Sequence, residues 1–483
     1  MDERQLRCCI HTFNLSPVSV RSMQAAVAAG HPATTAAGVE ILEDGGSAAD
    51  AAVAAVLASC VAETVMTGLL GGGHAIFFDG KIARSRNLDC FVAVPGLDAE
   101  QHDVELLHLE VPFGAELVHY AVGPASCGVP GLPAGLELLW REHGRLQWPR
   151  LVEPATRLAR EGVDFPPAHA ACLAMLAPVM TMNEGARIYS PEGRLLEAGG
   201  RLDQPGLVAV CETVAEEGAG SLYRGSLADA LLSLSDERGG LLTRADLAAY
   251  EARWNDPSEV GYLDGTLLTR GGLAGIAETV PRLPRLRGIR ETERVLSLVA
   301  AFDGRPDRSG DTTNVTVVDR DGNACVFTTS LGLGSGDFLP GYDLHLNSML
   351  GEADLLVDPL VPGERMQSMM APTLALDRDG LSLALGAAGG TRLRTALLGV
   401  VAGIVDEGLR ADEAVERPRF HPAAEVVNAE PGVDTHALDQ LEREGRRVRR
   451  WPGRHHYFGG VSVVGRTGAA GDPRRSGTAA VLG

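Results

Sequence analysis

The segment Asp311-Thr312-Thr313-Asn314-Val315-Thr316-Val317-Val318-Asp319 is where the chain changes character. Its β-branched residues form a strand pattern, Arg320-Asp321-Gly322-Asn323 makes a turn, and Ala324-Cys325-Val326-Phe327-Thr328-Thr329-Ser330 reads as the returning strand. Two β-rich runs around Asp-Gly predict a hairpin. The opening threonines admit two readings. One is a simple strand start, because threonine favours strands. The other is that self-cleavage after Asp311 makes Thr312 a chain terminus. Its freed α-amino group, with a pKa of about 7.7–8.0, then takes the proton from the hydroxyl of the same residue. Nucleophile and base share one residue, which suits a chain whose only lysine is Lys81.

Upstream of this hairpin the pattern is mainly helical. Met23 to Glu63 predicts two helices. The first, Ala33 to Glu43, stops at Gly45-Gly46, and the second, Ala48 to about Val61, is capped by Ser47 and small and apolar all round, as in a helix buried between layers. Strands are expected at His74–Phe78 and Ile82–Val94, and Gln101–Leu117 reads as a loop. Further helices are expected with an apolar face at Leu136, Leu139 and Trp140, and over Trp148–Arg160, Leu227–Glu237 and Arg244–Tyr250. Gly265 to Gly310 reads as irregular, a boundary. Beyond the first hairpin come a second, Pro372–Leu385, a glycine-rich turn Gly386–Gly390, a helix Thr391–Val405, and strands near Gly459–Val464 and Gly477–Leu482. The glycine turn sits where a strand passes into a helix, so its amides can face an anion or simply close a tight turn.

With 483 residues, 63 acidic side chains against 43 basic ones and a formal charge of −20, the chain lacks the cationic face that nucleic acid requires. Length alone suggests about three domains of about 150 residues each. The first 22 residues scatter charges through short apolar stretches, without a signal-peptide core. Ala51–Ala62 is too short to span a bilayer, and prolines and His169 interrupt Phe165–Asn183. Eight cysteines without C-x-x-C or paired spacing read as buried free thiols. The expectation is a cytoplasmic protein of no membrane, with a small-molecule substrate and no cofactor. His455 and His456, on opposite faces of an expected strand, and the isolated His421 argue against a metal site.

Several separated blocks, in order, resemble the gamma-glutamyltranspeptidase family of N-terminal nucleophile (Ntn) hydrolases. They are Ala36–Ala52, Thr67–Gly73, Gly128–Gly131, Glu153–Gly162, Asp311–Asn323, Gly386–Arg392, Glu416–His421 and Asp472–Arg475. The resemblance implies an α+β fold, a four-layer αββα sandwich, made from residues 1–311 and 312–483 after one cut, the two fragments remaining associated. It makes Asp311 and Thr312 the processing site and Thr312 the nucleophile. It implies that Gly389 and Gly390 supply the oxyanion-binding N–H groups and that Ser330 replaces a supporting threonine. Ser368 matches the first of a pair of substrate-side serines.

Other positions depart from the family pattern. Phe91 stands where the family places an arginine for the substrate carboxylate, and Arg84 and Arg86 face the other way on a regular strand. Gly332 replaces an asparagine, Met369 the second serine, Met349 a glutamine, Glu352 an aspartate that meets the α-amino group, and Asn314 a histidine. A desolvated carboxylate without its arginine is costly to bind. The expectation is therefore an acyl hydrolase or transferase with an intact catalytic end and a rebuilt head pocket, of the kind that serves a biosynthetic pathway. Three alternatives stand beside it: conventional glutathione-type turnover, carbon–carbon hydrolysis in secondary metabolism, and an inactive scaffold.

Overall fold

The computed structural model describes residues 23–99, 104–113, 116–304, 312–390 and 392–483. The expected hairpin is at its centre. Thr313–Val318 pairs antiparallel with Ala324–Ser330, placing Thr313 opposite Thr329. The turn between them is closed by the buried Asp319 carboxylate. It accepts backbone N–H bonds from Asp321 and Asn323, both at 2.9 Å, and the Asn323 amide at 2.8 Å. It also accepts the N–H of Ala48 at 2.9 Å, so the turn holds the first residue of the helix Ala48–Ala62.

Around the hairpin runs a seven-stranded antiparallel sheet. Its order is Thr478–Val481, Ala26–Ala29, Thr313–Val318, Ala324–Ser330, Gly72–Asp79, Arg84–Cys90 and Arg253–Asn255. A six-stranded antiparallel sheet lies against it, ordered Gly468–Gly471, Gly460–Gly465, Gly380–Ala388, Thr373–Asp377, Gly265–Thr269 and Ser258–Tyr262. Ile76, Phe78, Val326, Leu374, Ala384 and Val464 fill the space between them. Helices cover both outer faces. Pro32–Glu43, Ala48–Ala62 and Leu132–His143 pack on the first sheet, with Trp148–Glu161 against Ala48–Ala62, and Arg392–Val405 packs on the second, sharing its core with Glu291–Phe302 and Thr435–Arg443. This is the four-layer αββα sandwich. All fifteen residues of Ala48–Ala62 are buried, which explains their small size: the helix lies directly on the hairpin strands.

Four expectations change. Ala26–Ala29 is a strand, because its small residues fit between two neighbours despite their helical propensity. Gln101–Leu117 contains one arm of a two-stranded ribbon, Leu107–Phe113 with Glu116–Val122, whose alternation is masked by polar residues. Gly265–Gly310 is no boundary: it supplies Gly265–Thr269 to the second sheet and the helix Glu291–Phe302. His455 and His456 lie at a 3₁₀ turn with rings 4.1 Å apart, not on a strand. The six described cysteines are free, and no helix among the described residues is long and apolar enough to cross a membrane. Cys8, Cys9 and the remainder of the first 22 residues lie outside the described residues.

Asp319→Ala leaves four N–H groups without their carboxylate. Its unfolding free energy in a denaturant titration is expected to fall by about 2–3 kcal/mol. An unchanged midpoint would contradict the link between the turn and the helix.

Candidate active site

Thr312 immediately precedes the strand Thr313–Val318 and is 6% exposed. Its Oγ1 accepts the backbone N–H of Gly389 at 3.2 Å. Gly389 and Gly390 follow the strand Gly380–Ala388 and precede the helix Arg392–Val405, both with positive φ, +119° and +57°. A Cβ on Gly389 would stand 2.8 Å from Gly459 Cα, so the close backbone approach and the conformation both require glycine.

Thr312, Ser330, Gly390, Phe91, Met349, Glu352, Ser368 and Met369 surround one cavity, with Leu355, Met370 and Leu393 completing its wall. Its volume is about 30 Å³, room for a water or two and less than an acyl group needs. Met349, Met369 and Met370, unbranched and adaptable side chains, form much of its wall. The catalytic and substrate-side positions expected from the sequence therefore line this cavity or, for Gly389, touch Thr312. Asp311 is outside the described residues.

Local structure explains the placements. The pairing of Ala324–Ser330 with Gly72–Asp79 ends at Ser330 opposite Gly72. Ser330 Oγ then accepts the N–H of Gly332 at 2.9 Å. Gly332 has φ +70°, and a Cβ on it would lie 2.5 Å from Glu352 Oε1. Glu352 thus occupies space that only a glycine at 332 leaves open. Asn347 fixes the segment before Met349, donating to Leu70 O and Gly128 O, both at 2.8 Å, and accepting from Gly128 N and Met349 N. Ser368 Oγ accepts the N–H of Met370 at 3.2 Å. Asn314 lies between the hydroxyls of Thr316 and Thr328, at 3.0 and 2.7 Å, and its side chain fills the space that Gly386 leaves.

Phe91 stacks on the buried His74, ring centres 5.6 Å apart. Arg86 is engaged elsewhere, by Glu142 and the Trp254 ring. Two arginines that sequence reasoning passed over stand behind the cavity wall. Arg365 donates to Phe91 O at 3.1 Å and lies 3.5 Å from Asp89, and Arg270 donates to Ser368 O at 2.9 Å. Burial, then these two cations, hold the His74 imidazole well below its usual range, so it is neutral at pH 7. The described wall itself carries one carboxyl, Glu352, and no cation.

Glu63 was also missed. It is wholly buried, 250 residues in chain from Thr313, and it accepts the hydroxyls of Thr34 (2.6 Å) and Thr313. Its only sequence signal is an acid in the middle of an apolar run.

Comparison with known proteins places this geometry in context. A family model described as Gamma-glutamyltranspeptidase matches residues 34–277 and 289–482. The chain is 27% identical to the Acylase ACY 1 proenzyme of Pseudomonas sp. (strain SE83), covering 91% of this chain and 89% of that one. It is 26% identical to the Glutathione hydrolase proenzyme of Escherichia coli (strain K12), covering 89% and 86%. Among solved structures it resembles a cephalosporin acylase from Bacillus halodurans, with a TM-score of 0.81, 22% identity and 96% of each chain covered. That likeness establishes the fold.

Gly389→Ala forces a side chain into the Gly459 backbone at a φ that L-residues avoid. Thermal unfolding should report a loss of about 1–3 kcal/mol. A wild-type midpoint would contradict the close approach.

Proposed function

Because the chain belongs to the gamma-glutamyltranspeptidase family, we propose that it is a self-processing Ntn enzyme that hydrolyses or transfers an acyl group from an amide or related carbonyl substrate, with a pocket altered away from a free amino-acid head. The observation that carries this reading is a single one. Thr312 Oγ1 sits 3.2 Å from the Gly389 N–H, beside a mostly apolar wall whose described residues include no cation.

The proposed chemistry follows from those groups. Cleavage between Asp311 and Thr312 frees the α-amino group, which accepts the hydroxyl proton as Oγ1 attacks the substrate carbonyl carbon. The N–H groups of Gly389 and Gly390 stabilise the charge that develops on the carbonyl oxygen. The amine leaves with a proton, and water or an acceptor amine resolves the Thr312 ester. Residues 1–311 and 312–483 stay together because they share both sheets. Thr313–Val318, from the second fragment, pairs on one side with Ala26–Ala29 from the first. Gly265–Thr269, from the first, pairs with Thr373–Asp377 from the second.

Substrate preference follows from charge. A free α-carboxylate entering this wall would lose its hydration without a guanidinium to receive it. Arg270 and Arg365 are tied to the carbonyls of Ser368 and Phe91. Glu352 suits a neutral or amine-bearing acyl group. The name of the Pseudomonas acylase supports this reading, and that of the Escherichia coli glutathione hydrolase supports the conventional alternative.

An assay of purified protein with γ-glutamyl p-nitroanilide and with an N-acyl p-nitroanilide lacking the α-carboxylate separates them. We expect kcat/KM at least about tenfold higher for the second, a difference of about 1.4 kcal/mol, and no turnover of either by Thr312→Ala. A preference for the γ-glutamyl compound would overturn the altered-pocket reading. Turnover by the Thr312 variant would overturn the nucleophile.

A further inference from the structure

Glu63 follows the last turn of the helix Ala48–Ala62 and is 0% exposed. Its two oxygens have separate tasks. Oε1 accepts the Thr34 hydroxyl at 2.6 Å, and Oε2 accepts the hydroxyl of Thr313, the residue next to Thr312. Room for this pair is made at Gly30, where a Cβ would lie 2.5 Å from Oε2 and 2.6 Å from Thr313 Oγ1. The first turn of one helix, the end of another and the start of the central strand thus converge on a single carboxyl.

We infer that Glu63 is a positioning residue for Thr312: by holding the Thr313 hydroxyl it fixes the start of the strand, and with it the direction of Thr312 Oγ1 and of the α-amino group that cleavage exposes. The inference rests on the acyl-transfer reading above.

Protonation changes the arrangement in a defined way. As a carboxylate, Glu63 accepts from both hydroxyls. As an acid it must donate one proton, so either Thr34 or Thr313 has to reverse its hydrogen bond. Burial pushes the carboxyl up to about 7, opposed in turn by Thr313, Thr34 and the nearby Arg475 guanidinium. Arg475 belongs to the turn Pro473–Arg475, and its NH2 lies 3.5 Å from where a Gly389 Cβ would be. The other titratable neighbour is Cys60 on Glu63's own helix, whose thiol burial pushes far above neutrality. Glu63 therefore changes state near neutral pH while its neighbours do not. The ionised form is the one that accepts from both hydroxyls, so activity falls as pH falls through about 7, and this proton adds to the one the α-amino group takes up.

The test is the pH dependence of kcat for the full-length enzyme after cleavage, with whichever anilide it turns over. Below about pH 6, log kcat of the wild type should fall with a slope near two, one proton on each group. Glu63→Gln imposes the reversed hydrogen bond at every pH. It should lower the plateau kcat by roughly ten- to hundredfold, keep KM within about twofold, and reduce the slope to one. Thr313→Val, which removes the hydroxyl and keeps the β-branched shape, should do the same and decides the matter if Glu63→Gln does not fold. Wild-type kcat and an unchanged slope in the folded variants would overturn the inference alone. A wild-type chain that is neither cut nor active would instead overturn the reading beneath it.

Discussion

The antiparallel register of Thr313–Val318 is the constraint on which the site depends. Thr313 faces Thr329, Val315 faces Ala29, and Asp319 closes the far end onto the helix at Ala48. A shift of one residue would invert every side chain of a strand that is buried on both faces. It would also carry Thr312 away from Gly389 and the end of the neighbouring strand at Ser330. Sheet pairing therefore aims the proposed nucleophile, and the glycine turn of the second sheet meets it. The site lies where the two layers touch, which is why neither fragment of a cut chain would hold it alone.

The cavity beside Thr312 is walled mostly by adaptable apolar surface held by linked contacts. Gly332 and Glu352 form one such contact, since the acid occupies space that any side chain at 332 would fill. Phe91 forms another by stacking on His74, with Arg365 held behind it on its own carbonyl. Cations are present near the pocket but are committed to backbone oxygens and to Asp89. A site built this way retains field without offering a guanidinium to a substrate carboxylate, which is the physical basis for expecting a different acyl group.

Much of this was legible in the sequence, for reasons that differ by residue. Hairpins announce themselves through β-branched runs and Asp-Gly turns, so Thr313–Val318 and Ala324–Ser330 were read to within a residue. The ordered blocks carried the αββα fold, and the positions taken from them gather at one cavity with Thr312. Ala26–Ala29 escaped because four small residues carry no strand signal until neighbours flank them. The segment after Gly265 escaped because its strand is short and lies between turns and basic residues. Glu63, Arg270 and Arg365 were invisible for a deeper reason. Their roles depend on contacts across 250, 98 and 274 residues of chain, which no local pattern encodes.

The proposed nucleophile is one that the chain would create by cutting itself before Thr312. Intact-mass spectrometry of the purified, catalytically active protein tests this most directly. The predicted result is two associated species whose masses place the break between Asp311 and Thr312. A single full-length species that nevertheless turns over substrate would contradict it.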